Sequence, residues 1–343
     1  MNDWGSGGNG WGRAGGGGWG NNPWPPPAPP APKPGVIPLR PLGVGEILDG
    51  AFTTLRRHWR TALGISLAVA VVTQTAQTVV TGLWFGDQSA LAELGRQDTV
   101  SPQELLDALK EGLGALALII PISLIGSIIA AAMLTVVVSR AVLGKPVSVA
   151  DAWASTRAQL LGMTGLFLAI PVLITGAFAV GMLPGLLLIG AGAEAAGTAA
   201  LLVGGAAGLA GAACLWIRYC LAAPALVLEK QGVKAAMGRS AKLVQGAWWR
   251  ICGIQVLVIM IVFVAGAIVE MPAMAIKLIL TGGPTADDAT SWPSLIVNGI
   301  HATITSTLTL PITAGVTALL YMDQRIRRES LDIELARAAA EGQ

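Results

Sequence analysis

Residues 161–184 read LGMTGLFLAIPVLITGAFAVGMLP, without one charged side chain. The apolar run to which they belong starts at Leu160 and continues to Leu228, interrupted only by Pro184-Gly185, Glu194 and Arg218. A helix needs about 20 apolar residues to cross the hydrocarbon of a bilayer, so this run is long enough for more than one crossing. Taking Pro184-Gly185 as the break divides it into spans at 161–184 and 197–217. Four similar stretches, 61–84, 113–138, 251–275 and 294–321, complete a reading of six spans, with five or seven left open as alternatives. Composition agrees: 53% of residues are hydrophobic and only 12% charged, which excludes an ordinary water-soluble domain.

Charge sorting tests the count, because Lys and Arg in short loops stay on the cytoplasmic side. With 85–112, 185–196 and 276–293 assigned outside, together with Glu270, the outer side holds three basic residues, Arg96, Lys110 and Lys277, and ten acids. The inner side takes the other 19 of the 22 basic residues and ten acids, leaving −7 outside against +9 inside. An odd count would put either Arg56-Arg57-His58-Trp59-Arg60 or Arg325-Ile326-Arg327-Arg328 on the wrong side. The expectation is a multi-pass protein of the cell membrane with both termini cytoplasmic, and no nucleic-acid partner.

The membrane domain is expected over 43–328, between a tail at 1–42 and a short cytoplasmic tail at 329–343. Residues 1–42 lack the apolar core of a signal peptide. They carry Trp4, Trp11, Trp19 and Trp24 in a Gly/Asn-rich segment, then the tract Pro25–Pro34, a composition expected to be disordered. Such a tail is a solvated extension, a ligand for aromatic-grooved proline-binding modules, or an anchor whose indoles rest on the membrane interface.

Three segments that precede odd-numbered spans share a spacing of i, i+4, i+7, i+11: Leu48, Phe52, Leu55, Trp59; Val149, Trp153, Thr156, Leu160; and Val233, Met237, Ser240, Val244, followed by Trp248. That spacing is one face of a helix. Basic residues ride on the same segments, Arg56, Arg57 and Arg60, then Arg157, then Lys234, Arg239, Lys242 and Arg250, while Asp49 and Asp151 suit the positive end of the helix dipole in two of the three. A short helix of this kind beside a span should rest in the headgroup interface. The expected fold is all-α, six transmembrane helices as three parallel hairpin repeats, each introduced by a cytoplasmic amphipathic helix.

Inside the spans the signals concern packing. Gly204, Gly208 and Ala212 lie four apart, as do Gly181 and Gly185, a small-xxx-small seam expected within the chain. Pro121, Pro171 and Pro311 are expected to kink helices. In the outer segment 85–112, Ser101-Pro102-Gln103-Glu104 reads as a capping box that opens a short helix. Charges at membrane depth are expensive unless paired or hydrated, which singles out Arg218 and, at an outer end, Glu270.

Catalytic signatures are absent from the sequence. His58 and His301 fall on opposite sides of the membrane, and Cys214, Cys220 and Cys252 read as buried thiols without CxxC spacing. Neither a phosphate-cradling loop nor a nucleophile elbow nor HExxH occurs. No cofactor or metal is expected.

The segment from Arg218 through Leu228 to Glu229, then Ala235-Ala236-Met237-Gly238-Arg239-Ser240 and Gly246-Ala247-Trp248-Trp249-Arg250, resembles the membrane domain associated with glycerophosphoryl diester phosphodiesterases and its stand-alone actinobacterial relatives. Gly35 to Gly50 is similar to the lead-in to that domain's first interfacial helix, and Leu320-Tyr321-Met322-Asp323-Gln324-Arg325-Ile326-Arg327-Arg328-Glu329 to its ending. The resemblance implies fold and topology over about 35–335. In that family the phosphodiesterase chemistry belongs to a separate soluble barrel with His and acidic metal ligands, which no stretch here matches. The chain is therefore expected not to be an enzyme, with no catalytic residue carried over. Candidate functional or lipid-facing residues are Arg218, Tyr219, Glu229, Arg56, Arg57, Arg239 and Arg250. The expected role is a non-catalytic membrane organiser that binds anionic lipid headgroups through its basic helices and partners through its tail. A small-solute or lipid transporter with a site between the hairpins is the alternative.

Overall fold

The computed structural model describes residues 42–85, 102–281 and 291–329. Expectations for the N-terminal tail, for Ser101 of the capping box and for the C-terminal tail beyond Glu329 lie outside these residues. Among the described residues the chain forms ten α-helices and one 3₁₀ turn. They are α1 Val44–Arg57, α2 Trp59–Phe85, α3 Pro102–Val142, α4 Val149–Thr156, the 3₁₀ turn Arg157–Gln159, α5 Leu160–Gly190, α6 Glu194–Tyr219, α7 Ala222–Glu229, α8 Val233–Val244, α9 Trp248–Thr281 and α10 Trp292–Glu329. Six of them, α2, α3, α5, α6, α9 and α10, are long and apolar enough to cross a membrane.

Local chemistry sets the short helices. In α1 the Glu46 carboxylate accepts the amide hydrogen bond of Gly43 at 2.8 Å, and Arg56 and Arg57 occupy the last turn, so both ends complement the helix dipole. Glu46, not the expected Asp49, is the acid in that first turn. In α4 the expected Asp151 closes a capping box with Ser148, whose hydroxyl accepts from the Asp151 amide at 3.1 Å.

The long helices run past their expected boundaries. Pro184-Gly185 does not break the chain: α5 continues through both Pro171 and Pro184 to Gly190, and the turn to α6 falls at 191–193. A proline removes one amide donor from a helix, a loss that neighbouring groups can absorb in an apolar setting. Here Gly185 packs its backbone directly on Leu201 of α6, which holds the last turn in place. The turn itself depends on Gly192, whose φ of +82° is the left-handed conformation that glycine adopts without steric cost. Near residue 102 the expected short outer helix is instead the first part of α3, which runs unbroken for 41 residues, about 60 Å, from Pro102 into the apolar stretch.

The long helices contact one another in a closed circuit, α2 to α3, α5, α6, α9, α10 and back to α2, and α10 also reaches across to α3. The seam between α5 and α6 is the tightest. A β-carbon on Gly204 would stand 2.1 Å from the Gly181 carbonyl oxygen, and one on Gly208 2.9 Å from that of Phe178, so two backbones touch where any larger residue would separate them. The small-residue spacing is thus an intrachain device. Most of the fully buried apolar side chains, among them Leu134, Met163, Ile217, Leu226, Ile251 and Tyr321, gather towards the end of the bundle where α7, α8 and the last turns of α10 pack. Away from that end, Val172, Val180, Leu202 and Val203 on the α5–α6 hairpin turn outward, as side chains facing lipid do.

Candidate functional site

The charged end of the bundle is built around Asp323, a carboxylate with 0% exposure. Removing such a group from water is costly unless its oxygens are filled by donors. Asp323 accepts from the Leu42 amide at 2.8 Å, from Arg250, from Arg327 Nε at 3.0 and 3.1 Å, and from Gln324 at 3.3 Å. Arg327 is there because it follows Asp323 by four residues on one helix face, while Arg250 arrives from the first turn of α9, which packs against α10. The same two arginines also donate to the Leu42 carbonyl, at 2.8 Å from Arg250 and 2.7 Å from Arg327. Both backbone polar groups of Leu42 are therefore held, and the start of the described chain is clamped to its last helix.

A second network lies one turn away. Glu229, the last residue of α7, accepts from the Tyr321 hydroxyl, from Arg239 Nε at 3.0 Å and from Gln231 at 2.8 Å, with Arg325 Nε at 3.6 Å. Glu329 accepts from Arg239 at 2.5 Å and Arg325 at 3.1 Å. Burial favours the neutral form of Arg239, but the hydrogen bonds and charges of Glu229 and Glu329 outweigh it and hold the guanidinium pKa above its ordinary value. Two acids and two arginines thus join α7, α8 and α10. Every buried side-chain nitrogen and oxygen among the described residues has a hydrogen-bond partner.

The structure brings Glu229, Arg239 and Arg250 into these networks and leaves the other candidates outside them. Arg56 and Arg57 are exposed at the end of α1, Arg218 is exposed near the end of α6, and Tyr219 beside it is half-buried. Among the described residues none of these three arginines forms an ion pair, and neither do Lys234 and Lys242 on α8. Arg218 instead lines a cavity of about 740 Å³ with Cys214, Leu215, Gln245, Trp248 and Trp249. The run Cys220–Leu228 is not a straight continuation of the span, because α6 stops at Tyr219 and α7 follows as a separate, buried helix. Cys214 is exposed, against the expectation of three buried cysteines, and lines the same cavity as Arg218.

On α1, α4 and α8 the bundle buries only some members of the expected stripe, Thr156, Ser240 and Val244. Phe52, Val149 and Trp153 are exposed and Leu48, Leu55, Val233 and Met237 only half-buried. The residues fully buried in all three helices are Ala51, Ala152 and Ala236, each three positions after the first member of its stripe. Alanine allows the close approach, and being small it contributes too little hydrophobicity for periodicity to reveal it.

At the other end of α9 and α10, Lys277 donates to Glu270 at 3.0 Å and to Asn298 at 2.9 Å, and His301 stands 3.1 Å from Glu270. Twenty residues separate Arg250 from Glu270 along α9, and 22 separate His301 from Asp323 along α10, about 30 and 33 Å at 1.5 Å per residue. The two ion-paired belts therefore lie about one hydrocarbon thickness apart. Among the described residues no group of three or more His, Cys, Asp or Glu side chains is placed to hold a metal ion.

Sequence reasoning passed over Asp323 and Tyr321 as site residues. The available signal was the lone acid in the segment 323–328, four residues before Arg327. Compared with known families, residues 49–335 match the sequence model described as the membrane domain of glycerophosphoryl diester phosphodiesterase. No curated protein and no solved structure matches the chain.

Proposed function

The chain belongs to the family of glycerophosphoryl diester phosphodiesterase membrane domains, and from that premise we propose that it is a non-catalytic membrane organiser. In this reading it is a plasma-membrane protein with both termini cytoplasmic, built as three parallel hairpins, each introduced by an interfacial helix. The basic residues of α1 and α8, with Arg157 just after α4, gather anionic lipid, and the tail before Leu42 recruits partners.

The observation that carries this reading is the division of charge at one end of the bundle. Buried charges there neutralise one another, whereas Arg56, Arg57, Arg218, Lys234 and Lys242 have no acid partner among the described residues. Each basic residue near an anionic surface contributes about 1 kcal/mol of attraction. Alanine at the same register position of α1, α4 and α8, buried in all three, supports the repeat. A transporter, by contrast, needs polar groups with free hydrogen-bonding capacity turned towards a passage, and the buried ones described here are already engaged.

The test is reconstitution of the full chain into vesicles of mixed anionic and zwitterionic lipid. The organiser enriches anionic lipid around itself, the enrichment falls when Arg56 and Arg57 are changed to Gln, and removal of residues 1–41 abolishes protein partners recovered after mild detergent extraction. Unchanged lipid and partners in those variants, or solute flux above that of empty vesicles, would sink the idea.

A further inference from the structure

We propose that the cavity between α6, α8 and α9 is a binding site for one anionic glycerophospholipid, with Arg218 as the cation that receives its phosphate. The inference rests on the lipid-gathering role above but goes further: it commits to one discrete site.

Arg218 is conspicuous for what its neighbours do. Arg239, Arg250, Arg325 and Arg327, all at the same end of the bundle, are each held by a carboxylate. Arg218 has none among the described residues, where its backbone carbonyl accepts from the Ser240 hydroxyl at 2.8 Å. That bond fixes the end of α6 against α8 while leaving the guanidinium free. A guanidinium carries five donors in a planar fork that matches phosphate oxygens, and at a membrane boundary the anion in supply is a lipid phosphate.

The surroundings fit the rest of the molecule. Gln245, exposed where α8 ends, adds amide donors at the mouth of the cavity, and Lys242 stands exposed three residues earlier on α8 without an acid. Trp248 and Trp249 meet edge to face with ring centroids 4.6 Å apart, and Trp249 is 82% exposed. Indoles in that position present an apolar face and one N–H donor, the combination favoured at the level of the headgroups. Cys214 and Leu215, about one turn back along α6, continue the wall beside Arg218 as an apolar surface. The cavity therefore passes from cationic and amide groups to an apolar surface over one helical turn. A phosphoglycerol headgroup followed by the upper part of its acyl chains has the same polarity sequence, and a volume of about 740 Å³ lies in the range of ordinary ligand sites. A zwitterionic headgroup brings its own ammonium beside Arg218 and Lys242, so an anionic headgroup is preferred.

Native mass spectrometry of the intact protein, loaded from micelles with equal amounts of phosphatidylglycerol and phosphatidylcholine, tests this. The expected result is one phosphatidylglycerol retained per chain, falling about tenfold in Arg218→Gln, the loss of one charge-assisted fork. Arg218→Lys keeps part of it, and Glu270→Gln, at the other end of the bundle, leaves it unchanged. Because the Arg218 side chain holds no partner, Arg218→Gln should melt with the wild type, so a lost lipid would not reflect a lost fold. Equal retention of phosphatidylglycerol by Arg218→Gln overturns the site and leaves general lipid gathering standing. Absence of any preference in the wild type overturns both. Displacement by glycerol phosphate as efficient as by the lipid itself also counts against the proposal, since the apolar wall would then contribute nothing.

Discussion

Replacing Asp323 by Asn removes one charge and little volume, and asks how much the clamp on Leu42 contributes to stability. Asp323 is fully buried, while its ion-pair partners Arg250 and Arg327 keep side-chain exposures of 26% and 37%, so the arginines recover part of their hydration when the carboxylate is neutralised. Breaking a buried pair by removing one partner costs 3–5 kcal/mol in general, and the partial exposure of the arginines places this case near the lower edge, about 3 kcal/mol. Arg250→Gln alone also breaks the pair and removes one of the two side-chain donors to the Leu42 carbonyl. The double variant leaves Arg327 as the one charge of the cluster and should cost less than the two single changes together, by at least about 1 kcal/mol, since the residues are in direct contact. Unfolding of the purified protein by sodium dodecyl sulfate in mixed micelles, followed by tryptophan fluorescence, measures all three. Hydrogen exchange supplies a local readout: the Leu42 amide is protected in the wild type and opens in Asp323→Ala, which lacks the acceptor. A cost for Asp323→Asn below about 1 kcal/mol, or additivity within about 0.5 kcal/mol in the cycle, would refute the view that Asp323 organises this end of the bundle.

Gly204→Ala drives a β-carbon into the Gly181 carbonyl and should destabilise by about 2 kcal/mol or more, whereas Gly211→Ala on the same helix meets nothing within 4 Å and should stabilise by about 0.5–1 kcal/mol; melting in one detergent compares them. Tyr321→Phe removes one donor to Glu229 and should cost about 1 kcal/mol, less than Glu229→Gln, which leaves Arg239 and Arg325 to share Glu329. Glu270→Gln should cost under about 1 kcal/mol in the same titration, because the Glu270 side chain is 41% exposed and water compensates its loss, so a cost equal to that of Asp323→Asn would be evidence against the exposure argument.

Membrane character and the number of long helices follow from the chain itself, because hydrocarbon imposes a length and a composition that local sequence must meet. Gly181, Gly204 and Gly208 were likewise legible as a seam, since helix periodicity places residues four apart on one face. Pro184-Gly185 looked like a turn and is helix, because Leu201 of another helix supplies the packing that keeps the last turn of α5 intact. The apolar stripes of α1, α4 and α8 were visible, yet the bundle buries only some of their members and adds the alanines beside them. Which basic residues are neutralised and which stay free could not be read from spacing, because Asp323, Arg250 and Leu42 are joined across 73 and 281 residues of chain. Sequence sorted the charges to the two sides of the apolar runs, a consequence of local transfer energies. Only tertiary structure brought distant carboxylates onto Arg239 and Arg250 and left Arg218 beside a cavity, because pairing depends on distances that the fold alone sets.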